Sequence, residues 1–360
     1  MSKILKVAII GCGGIANGKH LPSLAKQPQV QMTAFCDIVE ERAAKAASEY
    51  GAEGAKVYTD FRKLLEETDV DVVHVCTPND SHAEITVASL ESGRHVMCEK
   101  PMAKTAEQAR RMLDAAKRTG KKLSIAYQNR FRDDSLFLKQ VCENGELGDI
   151  YFGKALALRR RAVPTWGVFL DEEKQGGGPL IDIGTHALDL TLWLMDNYEP
   201  KSVTGSVFHK LGSRANAANA FGPWDPEQFK VEDSAFGFIT MKNGATIALE
   251  SSWALNVIDF GEARTLLCGT EGGADMNDGL RLNGEKLSRL YETKVDFGSG
   301  GVAFFEGQQE NDATREARYW VEAILEDKEP LVKPEQALVV TEILEAIYES
   351  AKTGKTVYFD

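Results

Sequence analysis

The chain has 360 residues, with 42 Lys and Arg against 54 Asp and Glu, and so carries a net charge of −12. That balance excludes the basic surface that nucleic acid or an anionic membrane would select, and no apolar run is long enough to span a bilayer. The length fits two domains, and the 43% hydrophobic content supplies a sizeable core.

The first 126 residues alternate strand and helix. Lys6–Ile10 is a short continuous apolar run of the kind a doubly covered parallel strand shows. Ile15–Lys26 reads as a helix interrupted by Pro22, and Met32–Cys36 as the second strand. Glu40–Tyr50 is an Ala-rich helix. Val72–Cys76 and His95–Cys98 are further buried strands, separated by a helix over His82–Ser92. Thr105 to Gln108 forms a capping box that opens a helix running to Thr119, Gly120 closes it, and Leu123–Ala126 is a last strand.

After residue 126 the rhythm changes. Longer strand-like stretches follow at Tyr151–Arg160, Ser202–His209, Ser234–Met241 and Ala245–Trp253. Asn243-Gly244 between the last two is a strong hairpin signal. Residues 212–232, rich in Asn, Ala, Gly and Pro, predict a long loop, and Pro334–Thr353 predicts a helix ended by Gly354. The expected fold is an α/β Rossmann domain with a doubly wound parallel sheet over residues 1–126. Residues 127–360 are expected to form a C-terminal α+β domain with a large open antiparallel sheet.

Gly11-Cys12-Gly13-Gly14-Ile15-Ala16 reads G-x-G-x-x-A between a strand and a helix. Gly11 permits the tight turn, Gly13 lets the backbone approach a pyrophosphate, and Ala16 keeps helix and strand close. Asp37 ends the second strand, where a carboxylate accepts hydrogen bonds from ribose hydroxyls and repels a 2′-phosphate. NAD is therefore expected rather than NADP. In a doubly wound sheet, ligands lie outside the carboxyl ends of the strands. The Gly11 loop, Asp37, Thr77-Pro78-Asn79 and Glu99-Lys100-Pro101 should accordingly line one edge.

A second signal lies at Leu180–Trp193, a helix apolar almost all round except for a polar stripe at Asp182, His186 and Asp189. Asp182 and His186 are four apart and share a face, and a helix otherwise buried has no need of them for solubility. Asp182, His186 and Asp189 can also converge on a metal. Hydride transfer needs none and no further Cys/His cluster is visible, so no metal is expected. The six cysteines form no CxxC pair and read as small buried hydrophobes of a reducing, cytoplasmic setting. Gly176-Gly177-Gly178 is expected to bring backbone close to substrate or cofactor.

The combination G-x-G-G-I-A, an acid after strand two, T-P-N, E-K-P and G-G-G-x-L-x-D-x-G-x-H-x-x-D resembles the Gfo/Idh/MocA oxidoreductases over essentially the whole chain. That resemblance implies a Rossmann domain followed by a large open antiparallel sheet, and oxidation or reduction of one hydroxyl carbon of a sugar, cyclitol or related polyol. It also implies a homo-oligomer, with a tetramer favoured. By the same resemblance Lys100, Asp182 and His186 are catalytic. Gly11, Gly13, Gly14, Ile15, Ala16, Asp37, Thr77, Pro78, Asn79, His82, Glu99 and Asn129 are cofactor contacts. The segment Arg161-Ala-Val-Pro164-Thr-Trp166 is similar to that of glycoside 3-dehydrogenases.

His186, with an unperturbed pKa of about 6.5, suits a general base. The Lys100 ammonium can stabilise a developing alkoxide, and Asp182 can orient substrate or imidazole. Arg160 and Trp166 are candidate substrate contacts, donor and aromatic face, while Phe221, Trp224 and Phe229 either cap the site or pin the long loop. Two alternatives stay open: a redox glycosidase in which NAD is reduced and reoxidised within each turnover, and a non-catalytic sugar or nucleotide sensor.

Overall fold

The computed structural model describes residues 3–298 and 310–360. The chain forms two compact units, Met1–Gln128 with Glu310–Leu338, and Asn129–Gln309 with Val339–Asp360.

The first unit is built on six parallel strands: β1 (Leu5–Ile10), β2 (Val30–Cys36), β3 (Lys56–Tyr58), β4 (Val72–Val75), β5 (His95–Cys98) and β6 (Leu123–Ile125). Their order is β3-β2-β1-β4-β5-β6, the doubly wound dinucleotide-binding arrangement. All of β4, and all of β1 except Lys6, is buried, as strands covered on both faces must be. β3 carries no such signal; it is a three-residue edge strand with two exposed residues.

Thr105 caps the helix Ala106–Thr119 by accepting from Gln108 N–H at 3.2 Å, and Gly120 ends it at φ 64°. Pro22 does not break the first helix. Helical backbone runs unbroken over residues 14–24, widened over Ala16–His20, and Pro22 comes directly after that widening, which loosens the turn that would otherwise clash with the proline ring.

The sequence pattern assigns 127–360 to the second domain, whereas contacts place 310–338 in the first unit. The reason is packing. Helix Asp312–Leu325 buries Ala317, Trp320 and Val321 among Leu21, Leu24, Met97 and the other core residues of the parallel sheet.

The second unit carries a nine-stranded sheet. Its strands are β7 (Ile150–Leu158), β8 (Pro200–Phe208), β9 (Ser234–Met241), β10 (Thr246–Ser252), β11 (Gly261–Gly269), β12 (Gly272–Asp275), β13 (Arg281–Lys286), β14 (Arg289–Lys294) and β15 (Val357–Tyr358). Their order is β14-β13-β12-β11-β7-β10-β9-β8-β15. Every pairing is antiparallel except β7 with β10, which is parallel, so the sheet is mixed. Asn243-Gly244 makes the β9–β10 hairpin, with Gly244 at φ 91°.

Helix Thr185–Met195 packs on β7 and β11. A wide turn, Leu180–Gly184, precedes it, with Thr185 N–H reaching back to Leu180 O. Gly184 makes the close approach possible: a Cβ there would lie 2.9 Å from Ser251 Oγ on β10. Arg130 and Asp189, both essentially unexposed, form a forked ion pair at 2.9 and 2.6 Å. That pairing accounts for Asp189 as a structural group.

Candidate functional site

In the first unit, the parallel strands deliver four predicted loops to one edge. Gly11 follows β1 at φ 91°, and a Cβ there would lie 2.6 Å from the Cys76 carbonyl, so the turn past β4 requires glycine. A Cβ on Gly13 or Gly14 would meet nothing within 4 Å. The backbone there is open on one side, as a pyrophosphate cradle must be, while Ala16 is buried where helix and strand meet. Asp37 binds this loop to β2. Its Oδ2 accepts from Cys12 N–H at 2.8 Å and its Oδ1 from Val39 N–H at 2.9 Å. Carboxylate lone pairs remain for a ribose. Thr77, Pro78 and Asn79 follow β4, with Ser81 Oγ–H donating to Thr77 Oγ1 at 2.7 Å. Among the described residues these groups fit a dinucleotide: a glycine loop at a helix start and an acid at the end of β2.

The sequence places His82 and Glu99 among the cofactor contacts, and the side chains of both also bond protein groups. His82 is fully buried, with Nδ1 2.9 Å from Pro101 O and Nε2 2.9 Å from Thr77 O. Burial lowers its pKa, and a neutral imidazole donates to only one carbonyl at a time. His82 thus sits between the Thr77 loop and the Lys100-Pro101 loop and bonds one of them at a time.

Glu99 is the hub of a buried charge network. Its Oε1 accepts from Lys19 Nζ at 3.0 Å and lies 2.8 Å from His20 Nε2, while Oε2 accepts from the Lys100 backbone N–H at 3.0 Å. A carboxylate only accepts, so His20 carries a proton on Nε2. His20 Nδ1 faces His74 Nδ1 at 3.0 Å. Lys19 also pairs with Glu316 at 2.9 Å.

Burial works against the Lys19 charge, but Glu316 and Glu99 outweigh it and its pKa rises. Burial likewise opposes the Glu99 charge, yet Lys19, His20 and Lys100 hold its carboxyl well below the usual range. At Glu316 burial prevails over Lys19 and the pKa goes up. The Lys100 turn thus rests on an ionised Glu99 locked by two helix residues, Lys19 and His20. Sequence reading passed over both. The available signal was a Lys-His pair directly before the apolar Leu21 in a helix that must cover the sheet.

In the second unit, every residue of 177–194 is buried except Asp182 and His186, which are part exposed. The wide turn and the helix after it therefore present one polar face only. Asp182 Oδ2 accepts from Trp253 Nε1–H at 3.0 Å. Trp253, fully buried, directly follows β10, and its place at a strand end carries no sign of this role in the sequence.

Glu232 caps the start of this segment. Its Oε2 accepts from Gly178 N–H at 2.8 Å, and its Oε1 from Leu180 N–H at 3.1 Å and from Tyr348 Oη–H at 2.9 Å. Burial pushes its pKa up to about 7 against the pull of these donors. Two of the glycines ahead of the segment, Gly177 and Gly178, pack closely against protein. A Cβ on Gly177 would lie 2.0 Å from Tyr348 Oη, and one on Gly178 2.3 Å from Glu232 O.

A run of edge-to-face rings continues from Trp253. Phe169 and Phe229 each lie 6.4 Å from it, Trp224 is 5.9 Å from Phe229, and Trp166 stands 5.9 Å from Phe169 and 4.9 Å from Phe221. Trp224 is buried, with Nε1–H donating to Gly212 O at 2.9 Å. Trp224 and Phe229 pin the long loop. Trp166 and Phe221, 53% and 45% exposed, are the open end of the run.

Arg159 forms a two-pronged pair with Glu262 at 2.6 and 2.8 Å. Burial works against its charge, but Glu262 outweighs it and Asp182 adds to the rise in its pKa. Arg160 is exposed. Asn129 lies in a short helical turn, Gln128–Phe131, at the start of the second unit. No His/Cys/Asp/Glu group that could hold a metal occurs among the described residues.

A doubly wound sheet with this glycine loop and acid, joined to an α+β unit that presents a single Asp–His face, defines a two-domain, dinucleotide-dependent oxidoreductase. The chain belongs to the Gfo/Idh/MocA oxidoreductase family: the family's NAD-binding Rossmann fold matches residues 5–127 and its C-terminal alpha/beta domain residues 139–359. It is 37% identical over 359 residues to the D-glucoside 3-dehydrogenase of Escherichia coli (strain K12), covering 99% of this chain and 98% of that protein. It is 32% identical over 194 residues to the inositol 2-dehydrogenase of Salmonella typhimurium, covering 53% of this chain and 55% of that protein. The crystal structure of levoglucosan dehydrogenase with NADH and levoglucosan superposes with a TM-score of 0.82 at 26% identity, over 99% of both chains.

Proposed function

We propose that this protein is an NAD-dependent glycoside dehydrogenase that oxidises a ring secondary hydroxyl, at carbon 3 of a glucoside. The observation that carries the reading is the Asp182–His186 pair, the only two residues of 177–194 that are not buried. The full-length likeness to a D-glucoside 3-dehydrogenase supports the choice of substrate.

NAD, when bound, supplies the hydride acceptor. The Gly11–Ala16 loop, Asp37 and the Thr77–Asn79 loop would hold it, with Asn129 a further contact. His186 takes the hydroxyl proton as the carbon gives up hydride. The Lys100 ammonium stabilises the developing alkoxide, and the Glu99 network fixes the turn that carries it. Asp182, held by Trp253, orients the sugar through a neighbouring hydroxyl, and Arg160 and Trp166 complete the substrate contacts.

The protein acts as a cytoplasmic homo-oligomer, a tetramer, built through the open face of the second unit's sheet. Phe238 on β9, 54% exposed, is an apolar side chain that such an interface would cover. No helix among the described residues is long and apolar enough to cross a membrane.

The test incubates the protein with NAD and a panel of inositols, free hexoses and glucosides, following NADH absorbance and substrate loss together. NADH with glucosides, and a 3-keto product, is the expected result. Substrate loss without NADH would replace this reading with a redox glycosidase, and no reaction with any class would favour a sensor. Lys100→Ala is expected to lose turnover by about 10³-fold while still binding NAD; normal turnover would remove Lys100 from the mechanism.

A further inference from the structure

The second unit also holds a cavity of about 690 Å3, within the range of small-ligand pockets. Four guanidiniums, Arg159, Arg160, Arg161 and Arg264, line it against one carboxylate, Glu262. Glu262 is consumed by the two-pronged bond to Arg159. Among the described residues Arg161 donates to neutral acceptors, Asn256 Oδ1 at 2.7 Å and Arg160 O at 2.8 Å. Arg160 and Arg264 have no carboxylate at ion-pair distance among the described residues. In a chain with net charge −12, acids to neutralise them are abundant, yet the cavity is left cationic. Planar guanidiniums concentrated this way match a carboxylate or phosphate.

The position of Arg264 is built rather than incidental. The β11–β7 register shifts between Gly261 and Arg264, and Ala263 sits at φ 47°. This bulge folds the Arg264 guanidinium onto the backbone of Gly261, where a Cβ would lie 2.3 Å from Cζ. Bulges re-aim side chains in this way beside functional sites. Two lining residues lie beside the Asp182 surroundings, and Asp182 contributes to the field at Arg159. Arg159 N–H bonds Ser252 O at 2.8 Å, one residue before Trp253, and Ala220 N–H bonds Arg161 O at 3.0 Å, one residue before Phe221.

We infer that the substrate is an anionic glycoside, whose carboxylate or phosphate, on the part remote from the oxidised ring, seats on Arg160, Arg161 and Arg264. The inference rests on the dehydrogenase reading for the ring, and on the arginine cavity alone for the anion.

The experiment compares 4-carboxyphenyl glucoside with its neutral methyl ester, and glucose 1-phosphate with methyl glucoside. Each is assayed with NAD for kcat/KM and, without turnover, for binding by calorimetry. The expected result is a preference of at least about tenfold for the carboxylate over its ester or for the phosphate over the methyl glycoside, weakening with salt; which pair shows it identifies the anion. Arg264→Met should reduce that ratio toward one, and Arg264→Lys should restore part of it. Arg160→Met serves as a second variant should Arg264→Met fold poorly.

Equal kcat/KM within each pair would overturn the anion site and leave the dehydrogenase standing. Anion binding that depends on Arg264, without NADH from any glycoside, would keep the site and overturn the dehydrogenase reading. Absence of both binding and preference would overturn the proposal.

Discussion

Glu232 ties the start of the Asp182–His186 segment to a titration near neutrality. Its pKa is about 7 in the folded chain against an ordinary value of 4.5. A carboxyl with a raised folded pKa binds its proton more tightly in the folded state. The stability it contributes is complete below pH 4.5 and is lost as pH rises to about 7. That gap corresponds to about 3 kcal/mol. In Glu232→Gln this dependence is absent. The amide leaves one of the Gly178 and Leu180 N–H groups facing an NH2, but that penalty does not vary with pH and cancels when the variant is compared with itself. Urea unfolding of both proteins between pH 4 and pH 8.5, followed by tryptophan fluorescence, gives the difference in unfolding free energy. The variant should gain about 3 kcal/mol on the parent across that interval. Parallel curves would refute the reasoning. So would a parent that gains on the variant with rising pH, because the three donors would then hold the carboxylate charged more strongly than burial opposes it.

Other expectations follow from the same geometry. Lys19→Met strips the cation from two buried carboxylates, Glu99 and Glu316; removing one member of a buried pair costs about 3–5 kcal/mol, measurable as a drop in the denaturant midpoint, and an unchanged midpoint would mean the network contributes little. Trp253→Phe keeps the ring contacts but deletes the donor to Asp182. kcat should fall about tenfold with the thermal midpoint little changed, and full activity would show that Asp182 needs no holding. Asp37→Ser should raise the KM for NAD about tenfold or more and shift preference toward NADP, since the carboxylate that repels a 2′-phosphate is gone; retained NAD preference would remove Asp37 from that role.

The parallel sheet was legible because strands covered on both faces must read as short apolar runs, and β1, β4 and β5 do. The places of the glycine loop after β1, Asp37 after β2, Lys100 after β5 and the Asp182–His186 face were legible because their spacings are local. What escaped depends on partners far along the chain. β3, two of its three residues exposed, carries no apolar signature. Nothing in Arg130 announces Asp189, 59 residues away, as its partner. His82 and Glu99 sit at the predicted edge, but only the structure shows that their side chains point to Thr77 and Pro101, and to Lys19 and His20. The parallel pairing of β7 with β10 joins strands nearly a hundred residues apart, beyond any pattern a hairpin signal provides.

The order in which the chain is made has a bearing on the first unit. Trp320 and Glu316 belong to its core and to its charge network, yet about 180 residues of the other unit are synthesised before them. A nascent chain that has emerged only as far as Gln128 leaves Leu21, Leu24 and Met97 without their cover and Lys19 with one carboxylate instead of two. A fragment cut after β6 would expose the same surface permanently. The cofactor-binding unit thus becomes complete only once residues 310–338 have emerged, and until then its sheet has an open apolar side that folding helpers, or other copies of the chain, can bind.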